Sequence, residues 1–164
     1  MPHSHTALRA GFIAGNIGAV IVIIWFFCVD LIAGQPFFTP AALGSAVFYG
    51  LRDPAEVSIS VLPVLGYTAL HFLAFYFTAV VAAYIFREAE KDQNVLWYAL
   101  EFFIVLEVGF YCVVGVLFTP LLAKFAWINV AIGNVISSVA MGYYFYRTEP
   151  ALKKGLTGAS PSHG

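Results

Sequence analysis

Charge is what this chain has least of. Only 10% of its 164 residues are Asp, Glu, Lys or Arg, while 61% are hydrophobic. A soluble domain carries about 25% charged residues and no more than half apolar ones, so an ordinary water-soluble fold is excluded. The net charge is −1, and no basic patch is interleaved with aromatics, which excludes nucleic acid as a partner. Cysteine is limited to Cys28 and Cys112. Without a C-x-x-C pair, neither thiol redox chemistry nor a zinc knuckle has its ligands. The two cysteines fall at similar depth in their segments, so a disulfide is conceivable, but two buried free thiols are the simpler expectation. His71 is the only histidine in an apolar segment, so haem held by two histidines across a bundle is excluded. No H-E-x-x-H, G-x-S-x-G or P-loop occurs. The sequence therefore offers no catalytic residue, no metal set and no cofactor. His3 and His5 form an H-x-H pair in the N-terminal tail and read as incidental.

What the chain does have is long apolar runs. The central one, 95–118, is about 24 residues long, enough to cross a bilayer as a helix. It carries Glu101 and Glu107, and carboxylates in hydrocarbon are costly. The first run, 8–32, is too long for a signal-peptide core and reads as a retained helix. Gly11, Gly15 and Ala19 share one of its faces at i, i+4 and i+8. Small residues in that pattern let a second helix approach closely. Asn16 lies beside them.

Gly34-Gln35-Pro36 ends this helix. Thr39 then reads as an N-cap and Pro40 as a first helical residue of a short segment, 40–51. It is too short to span and reads as an interfacial helix, with a re-entrant one as the alternative. Asp53-Pro54-Ala55-Glu56 has the form of a capping box. It predicts a helix over 54–87, kinked or divided at Pro63, with His71, Ala74, Thr78 and Ala82 facing inward. A charged turn, 87–94, leads to the third long helix, with Trp97 and Tyr98 at its interface. The fourth helix is predicted over 126–146. Asn134, Ser138 and Gly142 share a face, and Tyr143, Tyr144, Tyr146 and Arg147 form its aromatic and basic exit.

These segments predict an all-α, integral membrane four-helix bundle with a short interfacial helix between the first two spans. A tail over 1–7 precedes a domain over 8–148, with spans at 8–32, 54–87, 95–118 and 126–146. A polar tail over 149–164 is expected to be disordered. Arg9, Arg87, Lys91, Arg147, Lys153 and Lys154 fall on one side, against Arg52 and Lys124 on the other. That asymmetry predicts both termini in the cytoplasm. Phe-Thr-Pro at 38–40 and 118–120, and Gly-Asn at 15–16 and 133–134, are a weak echo of a duplicated hairpin.

At about 1.5 Å per residue, His71, Glu107 and Asn134 fall roughly 18–22 Å from the cytoplasmic end, and Asn16 and Glu101 roughly 9 Å. Two polar layers follow, Glu107–His71–Asn134 and Glu101–Asn16. The two glutamates are about 240° apart around their helix, so they do not share one metal site. The simpler reading of these layers is a hydrogen-bonded cluster fixing helix register. The functional alternative is a proton-accepting or small-molecule site.

The runs 11–19 (GFIAGNIGA), 30–36 (DLIAGQP) and 39–44 (TPAALG) resemble small uncharacterised four-helix membrane proteins of bacteria. The resemblance implies a bacterial inner membrane and brings no activity or catalytic residue with it. Two functions remain open. One is a non-catalytic accessory or structural subunit packing against a larger membrane complex, such as an energy-transducing one. The other is an oligomeric transporter or proton-linked permease using Glu107 and His71. The partners expected are the lipid bilayer and other membrane subunits, or further copies of the chain.

Overall fold

The computed structural model describes residues 2–88, 97, 104, 108 and 124–148. The described chain is helical and contains no strand. Its α-helices are α1 (Pro2–Ile32), α2 (Phe38–Tyr49), α3 (Val61–Glu88) and α4 (Lys124–Thr148), with one 3-10 turn at Pro54–Glu56. Three of them, over Ala7–Ile32, Val61–Arg87 and Trp127–Thr148, are long and apolar enough to cross a membrane. That is the chemistry of a membrane protein, in which helices close their own backbone hydrogen bonds. The predicted span 95–118 lies outside the described residues except for Trp97, Ile104 and Val108, which are helical and exposed.

The packing is inside-out relative to a soluble bundle. The buried apolar side chains are mostly alanines, among them Ala7, Ala10, Ala14, Ala19, Ala79 and Ala83. Leu62, Leu65, Phe77 and Val139 are at least 63% exposed. Lipid gives no hydrophobic drive for burying large side chains, so helices associate where small ones let their backbones meet.

α1 is the centre and packs along both α3 and α4. Both neighbours run antiparallel to it. Gly11 meets Val80 and Gly15 meets Tyr76 on α3, while Gly18 meets Met141 and Trp25 meets Gly133 on α4. Ala7, Ala10, Ala14, Ala79, Ala83 and Phe145 form one cluster where the start of α1 meets the ends of α3 and α4. Phe86 and Phe145 close it with ring centroids 5.2 Å apart.

Helix starts differ from the sequence expectation, and prolines explain why. α1 begins at Pro2, inside the predicted tail, because proline suits a first helical position. The second long helix begins at Val61, not at Pro54. Asp53 does cap, its Oδ1 accepting from the Ala55 N–H at 2.9 Å, but the turn it starts ends at Glu56. A helix running through from Pro54 would carry Pro63 in its interior, at about 3 kcal/mol. Starting at Val61 puts Pro63 in the first turn, where no N–H is needed. The last helix is two residues longer at each end than predicted, within the usual fraying of helix ends.

α2 packs on the start of α3. Gly44 lies against the backbone of Pro63 in α3, and Phe48 covers Gly66. Leu43 and Ala46 of α2, Val57 and Trp127 of α4 pack about one apolar cluster.

Candidate functional site

The candidate site is the seam of α1 with α3, where the small-residue face and the polar side chains coincide. Gly11, Gly15 and Ala19 are all buried. A Cβ at Gly11 would stand 2.5 Å from Val80 Cα, and one at Gly15 would stand 2.8 Å from the Tyr76 ring. The absence of side chains is what allows this approach. Gly18 extends the face by one residue and meets both Phe75 and Met141, so it serves both neighbours.

Asn16 sits in the same seam. Its Nδ2 donates to the Phe12 carbonyl at 2.9 Å. Its Oδ1 accepts from the Tyr76 hydroxyl at 3.0 Å. The Tyr76 ring stacks on Phe12 at 4.8 Å. Sequence reasoning paired Asn16 with Glu101, which lies outside the described residues, and it missed Tyr76. A usable signal existed: a tyrosine inside a span needs a partner for its hydroxyl.

His71 lies one seam contact further along. Its Nε2 is 3.3 Å from the Ala19 carbonyl, a long bond. Phe75 packs on its ring at 4.7 Å and Tyr67 at 6.1 Å. The seam on α3 therefore runs through His71, Phe75, Ala79 and Ala83. Of the predicted inward stripe, Ala74 is exposed, while Thr78 and Ala82 are half-buried.

Asn134 stands elsewhere along the axis. Its neighbour Gly133 meets Trp25 and Phe26, whereas His71 meets Ala19. Ala19 and Trp25 are six residues apart on α1, an offset of about 9 Å or nearly two helical turns, so the described residues do not put His71 and Asn134 at one level. Glu107, the third member of that predicted layer, lies outside the described residues, as does Cys112.

The α4 face is corrected by one residue. Ser138 and Gly142, expected at a helix contact, are exposed. The residues turned to α1 are Gly133, Ser137, Met141 and Phe145, with Ser137 only 2% exposed and Phe145 2%. A shift of one residue is about 100° of rotation. Both rows repeat every four residues, and the pattern of small side chains alone does not separate them.

A further polar contact lies outside both predicted layers. Asp30, 4% exposed, ends α1 with both carboxylate oxygens on α2. Oδ2 accepts from the Thr39 N–H at 2.8 Å and Oδ1 from the Thr39 hydroxyl at 2.6 Å. Thr39 was expected to cap α2. Instead it is capped by Asp30, because α2 starts at Phe38 behind a left-handed Phe37.

Among the described residues, no buried side-chain nitrogen or oxygen lacks a hydrogen-bond partner, and no three His, Cys, Asp or Glu side chains come together. Set against protein-family models, curated proteins and solved structures, the chain matches none of them.

Proposed function

We propose that this chain is a non-catalytic integral membrane protein that serves as an accessory or structural subunit, packed against a larger membrane complex such as an energy-transducing one. The observation that carries this reading is the closed hydrogen bonding of the seam. Asn16 and Tyr76 satisfy each other, and His71 turns to the Ala19 backbone. Polar groups used this way hold helices in register. The exposed Asn134-side face of α4, with Ser138 and Gly142, supports the second half of the reading, since a foreign helix could approach it closely. Arg9, Arg87 and Arg147 belong to the end where α1 starts and α3 and α4 finish, which supports both termini in the cytoplasm of a bacterial inner membrane.

The test is purification from the native membrane in a gentle detergent, with mass spectrometry of what comes along. A larger partner in fixed ratio is the expected result. A clean homo-oligomer with no partner would sink this reading and favour a permease working through Glu107 and His71.

A further inference from the structure

The sequence places the short helix α2 at the membrane interface. Its exposed surface and its ends fit a different position. We propose that α2 is seated inside the hydrocarbon layer, against lipid acyl chains, and that the membrane surface at this end runs through Arg52–Glu56. The inference rests on the chain being a membrane protein, and it is independent of whether that protein is an accessory subunit.

The first observation is how the helix ends are closed. The free N–H groups of a first turn are satisfied by capping side chains, tightened turns or water. In α2 the protein itself satisfies them. The Phe38 N–H donates to the Gln35 carbonyl at 3.0 Å. The Thr39 N–H goes to Asp30. Pro40 has no N–H. The Ala41 N–H closes the first intrahelical bond, to the Phe37 carbonyl at 3.1 Å. At the other end Gly50, at φ 68°, and Leu51 donate to the carbonyls of Ala46 and Ser45. The turn that precedes α2 is closed in the same way, with Gly34 bonded to Leu31 and Gln35 to Asp30. A helix in hydrocarbon has to meet these needs internally, and a helix lying in water or headgroups does not.

The second observation is chemical. α2 contains no charged residue. Two of its three hydroxyl side chains are turned inward, Thr39 onto Asp30 and Ser45 into a position 5% exposed, while the third, Tyr49, is exposed at the last residue of the helix. What remains exposed is Val47, Phe48 and Tyr49, with Phe37 before them. Exposed apolar side chains of α1 and α3 border this surface. Phe37 meets Phe27 of α1 at 5.1 Å, Phe48 lies over Gly66, and Leu62 and Leu65 are 70% and 63% exposed. The first charges after α2 are Arg52, Asp53 and Glu56, all exposed.

The experiment uses the full chain in proteoliposomes, with Cys28 and Cys112 replaced by serine. Spin labels are placed singly through V47C, Y49C, L65C and E56C, all exposed positions, so the fold is not at stake. Collisions with dissolved oxygen and with a water-soluble nickel complex are compared at each. At V47C and Y49C oxygen should dominate, as at L65C, and the ranking should reverse at E56C. A membrane-impermeant maleimide should label E56C faster than V47C by on the order of tenfold or more. Nickel dominating at V47C, or maleimide labelling equal to that of E56C, would overturn the proposal. So would protection from both probes with spin–spin broadening, which would assign the face to a second copy of the chain.

Discussion

Tyr76 reaches across the α1–α3 seam and donates its hydroxyl to Asn16 at 3.0 Å, while its ring stacks on Phe12 one turn away. The same side chain therefore joins α1 by a polar bond and by an apolar contact. Tyr76→Phe separates the two. It keeps the ring and leaves the Asn16 Oδ1 without its donor. Side-chain hydrogen bonds between helices in membranes average about 0.6 kcal/mol and reach about 1.7. Denaturant unfolding in mixed micelles should show a loss in that range.

Gly11→Ala should cost more, although it adds only a methyl. The new Cβ would meet Val80 Cα at 2.5 Å, so two helix backbones must separate. Overpacking of this kind costs about 1–3 kcal/mol. Gly142→Ala is the control, since nothing stands within 4 Å of its Cβ position. Thermal unfolding of the two variants should differ clearly, and equal melting would refute the seam.

Asp30→Ala removes both acceptors from Thr39 and leaves its N–H unpaired. A buried donor left that way costs about 1–3 kcal/mol. Asp30→Asn keeps one acceptor oxygen and should lose less. Hydrogen exchange of the Thr39 amide reads this directly, with Ala fastest, Asn intermediate and the native chain slowest.

Ser138→Leu and Gly142→Leu test the proposed subunit role. Neither side chain supports α4 on α1, so the isolated chain should unfold at its native temperature. Bulk on that face should nevertheless lower the yield of any stoichiometric partner in a pull-down. Unchanged recovery would move the contact to another face. Glu107→Gln should leave the recovered complex intact, whereas a conducting pair would lose proton flux.

The all-helical character and three of the four predicted spans were legible because length and apolar composition dictate them. The glycine face was legible too, since Gly11, Gly15 and Ala19 have no other use at that spacing. The α4 face was not. Gly133 and Ser137 match Ser138 and Gly142 in size and period, and only the neighbour decides between them. Asp30 was hidden for a different reason. Its partner is nine residues away across a turn whose geometry hangs on a left-handed Phe37, and no local motif encodes that. Val61 as a helix start could have been read from Pro63, had the proline been weighed above the capping box at Asp53.

The central position of α1 also has a consequence in time. α1 leaves the ribosome before either of the helices it serves. Trp25 bonds to Asn129, 104 residues downstream. At about 5–20 residues per second, the indole waits roughly 5–20 seconds for its acceptor to be made. The bare glycine face waits for Tyr76 in the same way. During that interval α1 is an unpaired helix with an open small-residue seam, so insertion and assembly are separate events, and the interval between them is when a wrong helix can take the place of α3.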